Sequence, residues 1–276
     1  MEASEEISKY APLSDNEIPL YRAGVAIALI EHPDLDIESE IVKIDSLIEK
    51  AKQETMNFAS MDEKFEKLND FFFNELSFKG NAEDYYNPRN SLLDEVLQRR
   101  TGIPITISVI YLEFAWRLGL DAYGIGFPGH FLIGYKKSAG RMVYLDPFNR
   151  GIRVEEDNLR KMLDQMYEGR ITFGESLLAP SSKRSILIRM LNNLKAIYLE
   201  NKDLKRTLDV LDCICELAPD SASEIRDRGL VNLQLRKYSQ ALDDLYRYTE
   251  LEPNATDSET MRQTIQEIKA MLGKLK

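Results

Sequence analysis

Hydrophobic residues recur at helical spacing through the first part of the chain. Between residues 15 and 77 the pattern predicts three helices, from Ile18 to Ile30, from Ile37 to Ala51, and from Ser60 onward. Ser60 is followed three residues later by Glu63, and this spacing is typical of a capping box at a helix start. The chain therefore begins with a helical segment rather than a sheet.

The middle of the chain predicts two helices followed by strands. A loop from Gly80 to Asn90 precedes a short helix at Ser91–Arg100, and Pro104 precedes a helix at Ile105–Leu118 that is apolar on nearly every side. The hydrophobic period then changes, and we expect strands at Ala122–Phe127, His130–Tyr135 and Arg141–Leu145 before helical character resumes at residues 155–167. A buried helix that leads into an antiparallel sheet indicates an α+β fold.

The last third of the chain contains an internal repeat with a period of 34 residues. The matched pairs are Leu208 and Leu242, Asp209 and Asp243, Leu211 and Leu245, Glu216 and Glu250, Leu217 and Leu251, and Pro219 and Pro253. A 34-residue period in helical sequence is the signature of tetratricopeptide repeats. We therefore divide the chain into a first domain at residues 1–180 and a short repeat domain at residues 181–276.

Composition and charge narrow the range of partners. The 276 residues include 46 acidic and 36 basic side chains, which give a net charge of −10, and residues 1–80 alone hold 18 acidic and 8 basic ones. Without a basic surplus, nucleic acid is not expected as a partner. The acidic segment is interpreted as a solvated helical face, with a docking surface for a basic partner as the alternative.

Neither a signal peptide nor a membrane span is visible in the sequence. The first residues are acidic, and the apolar stretch Ala23–Ile30 is too short to cross a bilayer. The only cysteines, Cys213 and Cys215, fall in the first repeat, and the only histidines are His32 and His130. We expect a cytoplasmic protein with buried thiols, no metal site, no cofactor and no membrane partner.

The candidate catalytic residues lie in the predicted hairpin. His130 opens one predicted strand and Asp146 ends the next. Because the start of one antiparallel strand faces the end of its neighbour, the two side chains can meet, and the carboxylate would then fix the orientation and tautomer of the imidazole. His130 and Asp146 are therefore a candidate catalytic dyad, with an ordinary structural role as the alternative.

Several motifs together resemble the SirB family of bacterial proteins over roughly residues 15–270. The motifs are Tyr86-Asn87-Pro88-Arg89-Asn90-Ser91, Leu97-Gln98-Arg99-Arg100-Thr101-Gly102-Ile103-Pro104-Ile105-Thr106, Arg117-Leu118-Gly119-Leu120, Gly126-Phe127-Pro128-Gly129-His130-Phe131 and Leu145-Asp146-Pro147-Phe148. The resemblance implies a papain/transglutaminase-like core, in which a central helix packs against an antiparallel sheet, followed by tetratricopeptide-like repeats. It also implies the superfamily's catalytic set: a cysteine at the start of the central helix, a histidine on one strand and an aspartate on the next.

His130 and Asp146 match the histidine and aspartate of that set, but the cysteine has no counterpart. The helix start reads Gly102-Ile103-Pro104-Ile105-Thr106, and residues 1–212 contain no cysteine. Thr106 and Ser108 are the weak candidates for a replacement nucleophile, since a hydroxyl needs both a base and an oxyanion hole to react. In the alternative interpretation, both hydroxyls bond back to helix carbonyls.

Two further residues are candidates for binding. Asn87 lies in the loop that the family architecture brings towards the histidine and aspartate, although turn formation also explains an asparagine before Pro88. Tyr111 lies on the predicted central helix. We assign both residues to binding and neither to chemistry.

Three functions remain open from the sequence. We favour a non-catalytic regulatory or scaffold protein that binds a protein or peptide partner through its cleft and its helical repeats. The alternative is a residual hydrolase or acyltransferase that uses His130, Asp146 and either a hydroxyl or an activated water. A structural subunit that docks through its acidic helices is the third, and the oligomeric state is open.

Overall fold

In residues 2–274, which the computed structural model describes, the chain folds into helices and two small sheets. The N-terminal helices are α1 (Ala3–Ser8), α2 (Leu20–Ala26), α3 (Ile37–Thr55) and α4 (Met61–Asn69). Then come β1 (Lys79–Gly80), α5 (Leu93–Arg99), β2 (Thr101–Gly102) and α6 (Pro104–Arg117). The sheet region holds β3 (Ala122–Ile125), β4 (Leu132–Lys136), β5 (Met142–Asp146), β6 (Ile152–Val154) and α7 (Glu156–Tyr167). The last helices are α8 (Lys183–Glu200), α9 (Leu204–Leu217), α10 (Ala222–Gln234), α11 (Tyr238–Leu251) and α12 (Ser258–Lys274).

The three helices expected between residues 15 and 77 are present, with differences at their ends. The capping box is confirmed, because the Ser60 side chain accepts from the Glu63 backbone N–H and Glu63 accepts from that of Ser60. Beyond α4 the helix widens into a π-helix at Asp70–Glu75, which places Phe71, Phe72 and Phe73 in the core. The six-residue helix α1 was not predicted, because it is too short for a helical period to stand out.

The larger sheet is antiparallel throughout, in the order β3-β4-β5-β6. One face carries Ile125, Leu132 and Tyr144, which pack against Leu159 and Leu163 of α7. The opposite face meets the central helix α6, and Tyr135 of β4 stacks on Phe65 of α4 with ring centroids 3.8 Å apart. The three predicted strands are confirmed, and β6 is an addition whose three residues are too short a run for an alternating pattern to stand out.

The predicted buried helix is α6. Its residues from Pro104 to Leu112 are all buried, as are Phe114 and Ala115. Its charged side chains lie only towards its C-terminal end, where Glu113 pairs with Arg117 at 3.4 Å. The mixed fold with a central helix against an antiparallel sheet is therefore confirmed.

The C-terminal helices form the predicted repeats. Gly229 on α10 faces α11, and a Cβ there would lie 3.0 Å from Leu245, so a small residue is needed at this helix crossing. Ala241 on α11 is fully buried. In the less regular first repeat, the corresponding Lys195 forms an ion pair with Glu224 at 2.6 Å.

Of the described residues, one compact unit comprises 14–28 and 35–190, and a second comprises 2–13, 29–34 and 191–274. We call them the core unit and the repeat unit. The repeat unit includes α1, because this helix packs against α9 and buries Ile7. The division proposed from the sequence at residues 180 and 181 assigned this N-terminal segment to the first domain.

Candidate functional site: the His130–Asp146 pair

His130 lies in the turn that connects β3 with β4. The turn is closed by the Phe127 N–H, which donates to Ile125 O, and by the His130 N–H, which donates to Phe127 O at 3.0 Å. Gly129 takes a positive φ of 69°, a conformation that glycine adopts without steric cost. The strand begins at Leu132, two residues later than the sequence predicted, because His130 is needed to close the turn.

Asp146 is the last residue of β5, and the loop after it holds its carboxylate. The Asn149 side chain donates to Oδ2 at 2.7 Å, and the Asn149 backbone N–H donates to Oδ1 at 3.2 Å. The Gly151 N–H donates to the Asp146 carbonyl oxygen at 2.8 Å. These hydrogen bonds fix the orientation of the Asp146 carboxylate independently of His130.

The hairpin brings the two residues into direct contact. His130 Nε2 lies 2.8 Å from Asp146 Oδ2, and the two side chains are only 11% and 7% exposed. Burial alone would raise the pKa of Asp146, but the hydrogen bonds from His130 and Asn149 outweigh it and hold this pKa below its usual value. The carboxylate therefore stays charged and keeps Nε2 protonated, so Nδ1 is the imidazole atom that remains for other contacts.

Aromatic rings border the pair on one side. The Phe148 ring stands edge-on to the imidazole with centroids 6.3 Å apart, and Tyr85 lies 5.9 Å from Phe148. Gly80 allows this approach, because a Cβ at that position would overlap the Phe148 ring. The polar His130–Asp146 pair is therefore flanked on one side by aromatic rings.

Thr106 and Ser108, the two hydroxyl candidates, are engaged elsewhere. Thr106 is fully buried and donates to Asn90 O at 2.8 Å, and the Ile103 N–H donates to its oxygen. Ser108 is also fully buried and donates to Pro104 O at 2.7 Å, one helical turn back. Both hydroxyls bond to the backbone at the start of α6, which is the alternative considered from the sequence.

The two binding candidates occupy different environments. Asn87 is half-buried and caps the short 3₁₀ helix Pro88–Asn90, where its side chain accepts from the Arg89 N–H and donates to Asp84. Tyr111 is fully buried, and its hydroxyl donates to Asn69 at 2.7 Å. A ligand cannot reach Tyr111 in this structure, because Tyr111 points into the aromatic core rather than along an exposed helix face.

The two thiols lie in the repeat unit rather than in the core unit. Cys213 is fully buried and Cys215 nearly so, and both are free. Burial, together with nearby carboxylates such as Asp212, raises the pKa of both thiols, in Cys215 to about 11. These are properties of packed thiols rather than of a nucleophile.

Two residues of the site escaped the sequence analysis. Asn149 follows Asp146 by three residues, and this short spacing is the signal that could have identified it. Arg189 on α8 donates to the carbonyl oxygens of Phe127 and His130, at 3.0 and 2.5 Å. No local signal could have linked Arg189 to a turn about sixty residues earlier.

Residues 2–274 contain neither a cluster of metal-binding side chains nor a helix able to span a membrane. No group of three or more His, Cys, Asp or Glu side chains in this part of the chain is arranged to hold a metal ion. None of the helices described combines the length and the apolar character that crossing a membrane requires.

Comparisons with known proteins agree with this architecture. Residues 39–192 match the family model described as the transglutaminase-like superfamily, and residues 194–266 match that of a tetratricopeptide repeat. No solved structure gives a significant match.

Full-length bacterial relatives extend the match over most of the chain. A UPF0162 protein of Xylella fastidiosa strain 9a5c is 35% identical over 91% of this chain and 90% of its own length. Protein SirB1 of Salmonella typhimurium is 30% identical over 85% and 87%, and the UPF0162 protein YchA of Escherichia coli K12 is 28% identical over 86% and 87%. The chain therefore belongs to the transglutaminase-like superfamily, in the family of SirB1 and the UPF0162 proteins.

Proposed function

We propose that this chain is a non-catalytic regulatory or scaffold protein of the bacterial cytoplasm, which binds a protein or peptide partner through its cleft and its helical repeats. One observation carries the proposal: His130 and Asp146 are hydrogen-bonded as in a catalytic dyad, but the start of α6 has no nucleophilic side chain. Pro104 and Ile105 occupy that helix start, and the hydroxyls of Thr106 and Ser108 donate to backbone carbonyl oxygens. A site of this kind recognises a ligand without cleaving it.

The repeats supply a second surface for a partner. Stacked helix pairs form extended binding surfaces because each pair leaves one face uncovered. Around a 380 Å³ cavity on α10 and α11, the exposed side chains of Lys237, Gln240 and Asp243 surround the buried Asp244. Their mixed charges favour a partner with both acidic and basic side chains.

The alternative function is a residual hydrolase or acyltransferase. The hydrogen bond between His130 and Asp146 favours it, because this arrangement orients an imidazole to act as a general base. Water would then be the attacking group, since Thr106 and Ser108 would have to break buried hydrogen bonds first.

A paired experiment separates the two functions. Amide and ester substrates are screened with the wild-type chain and with His130→Ala, whose folding is checked by thermal melting. The non-catalytic proposal expects no turnover that depends on His130. A hydrolysis rate that falls at least tenfold in a folded His130→Ala variant would establish the alternative.

Partner binding is tested separately on the repeats. Partners are captured from the cytosol of the source bacterium, purified, and titrated against the wild type and the exposed-surface variant Lys237→Glu. We expect binding to weaken at least tenfold while the melting temperature is unchanged. Equal affinity of the partner for both proteins would show that this surface of the repeats does not bind it.

A further inference from the structure

Arg189 places a positive charge beside the candidate site. It lies on α8 and donates from Nη2 to the carbonyl oxygens of Phe127 and His130, at 3.0 and 2.5 Å. Its guanidinium carbon is 5.6 Å from the centre of the Phe131 ring. The charge is thus fixed to the turn that carries His130.

This guanidinium lacks the counter-charge that a half-buried cation usually has. Among residues 2–274, no carboxylate forms an ion pair with Arg189, and its hydrogen bonds go to neutral carbonyl groups. Burial lowers the pKa of Arg189, and Tyr85 and Tyr167 raise it. Withdrawing a charge from water without a partner costs free energy, and an incoming anion would recover it.

Gly126 lies next to the same guanidinium. A Cβ on Gly126 would lie 3.2 Å from Nη1, so glycine keeps that side clear, and Gly126 itself is exposed to solvent. The Tyr167 hydroxyl lies close by, 3.5 Å from the position that a Cβ of Gly129 would occupy. Nη1, which does not bond to the turn, therefore lies next to an exposed glycine and close to the Tyr167 hydroxyl, where a ligand can approach it from solvent.

An exposed aromatic surface adjoins this position. Tyr86 is 71% exposed, and its ring centroid is 5.2 Å from that of Tyr85. Tyr85 in turn lies 5.9 Å from Phe148, whose ring meets His130. Exposed aromatic rings in contact with one another are a common feature of binding surfaces, because they provide a large contact area at low entropic cost.

We infer that Arg189 binds one carboxylate of the peptide partner beside His130, and that Tyr85 and Tyr86 pack against an apolar side chain next to that carboxylate. The inference rests on the proposed function, since it names the chemistry of the bound peptide. One guanidinium flanked by aromatic rings matches a single negative charge attached to an apolar group. A phosphate, with more charge, calls for a cluster of cations that the contacts of Arg189 do not include.

Small probes test the inference without knowledge of the partner. The chain has two histidines, so the imidazole resonances of His130 can be followed by NMR with those of His32 as an internal reference. N-acetylphenylalanine is titrated against its uncharged amide. We expect the acid to shift the His130 resonance with millimolar affinity and the amide to bind roughly tenfold more weakly, because it forms no charge-assisted hydrogen bond.

Further probes identify the source of the carboxylate. A capped glutamyl-phenylalanine amide carries its only carboxylate on a side chain, so stronger binding by this probe than by N-acetylphenylalanine assigns the site to an internal acidic residue, and the reverse order assigns it to a chain terminus. Inorganic phosphate is expected to leave the His130 resonance in place. Equal binding of acid and amide, or tighter binding of phosphate, would overturn the inference.

Variants connect the response to the named residues. Arg189→Gln should abolish the difference between acid and amide, and Arg189→Lys should retain part of it. Arg160, whose guanidinium lies 4.6 Å from the Phe173 ring, gives the matched control Arg160→Gln, which should bind as the wild type does. Tyr86→Ala alters an exposed ring without a folding risk and should weaken binding several-fold.

Unchanged acid binding in a folded Arg189→Gln variant would refute the inference, and so would unchanged binding in Tyr86→Ala. The proposed function can survive that result, because capture of a partner through the repeats is measured with Lys237→Glu.

Discussion

His130 Nε2 donates to Asp146 Oδ2 across 2.8 Å, and the same carboxylate oxygen also accepts from the Asn149 side chain at 2.7 Å. Two donors on one buried oxygen fix the carboxylate, and the carboxylate fixes the imidazole. Nδ1 is therefore held in one direction whether the site binds or reacts. The stability of the hairpin is linked to the charge of Asp146 for the same reason.

Replacing Asp146 by Asn should make the free energy of unfolding less dependent on pH in the acidic range. The folded-state pKa of Asp146 is depressed, so its contribution to stability is present above the unfolded-state pKa, near 3.8, and is lost as the pH falls through the lower folded-state value. Asp146→Asn should cost about 1–3 kcal/mol at pH 7, where a charged hydrogen-bond acceptor is lost.

The measurement is urea unfolding of both proteins between pH 2 and pH 7. The stability difference between them should shrink as the pH falls below 3.8. Glu168→Gln, at an exposed position, is the control and should follow the wild type. A stability difference that stays constant over the whole range would show that folding does not lower the pKa of Asp146.

Replacing Gly80 by Ala should disturb the site from a neighbouring strand. The added Cβ would overlap the Phe148 ring, which is bounded by Tyr85 and His130 and cannot retreat freely. We expect a loss of roughly 1–3 kcal/mol, the usual range for an overpacked core. The His130 NMR resonance should shift as well.

Gly174→Ala is the matched control for Gly80→Ala. Gly174 has a φ of −152°, and its nearest neighbour would be 3.9 Å from an added Cβ, so alanine fits there. Thermal melting should place Gly174→Ala with the wild type. If Gly80→Ala melted there too, the Phe148 ring would be free to move.

Local patterns in the sequence were sufficient to predict the elements that carry the site. The apolar run in α6 and the alternation in β4 and β5 are strong periodic signals, and antiparallel pairing then placed His130 next to Asp146. The start of β4 was misplaced by two residues, because His130 closes a turn through its backbone N–H, which no side-chain pattern reveals.

Contacts between distant parts of the chain could not be predicted. Arg189 reaches the His130 turn from α8. Ser181, at the domain boundary predicted from the sequence, donates its N–H to Gly124 O and accepts from the Gly126 N–H through its hydroxyl oxygen. Tyr111 shows the same limit, since a tyrosine on a helix can face solvent or the core, and only the packing of Phe72 and Phe73 decides.

The charged network of the repeat unit should be important for its stability. Arg228 donates two hydrogen bonds to Asp244, at 3.0 and 2.6 Å, and one to Asp212 at 3.2 Å. Asp244→Ala would leave a partly buried guanidinium without its main partner, and we expect a loss of about 3 kcal/mol in chemical denaturation. The exposed pair of Arg247 and Asp220 is the control, and Arg247→Ala should change stability by less than about 1 kcal/mol.

Alkylation of the two cysteines tests whether either thiol could act as a nucleophile. The thiolate is the reactive form, and burial raises the pKa of both thiols, in Cys215 to about 11. An unperturbed thiol has a pKa of about 8.5, so at pH 8 the thiolate fraction of Cys215 should be lower by roughly a hundredfold or more. The native chain should therefore react with iodoacetamide at least that much more slowly than the urea-unfolded chain, as measured by mass spectrometry of Cys213 and Cys215.

The rate for the native chain should rise with pH up to the highest pH at which the fold persists. Rapid labelling of either thiol in the native chain near pH 7 would contradict the assignment of both cysteines to packing and would show a reactive sulfur in the repeat unit.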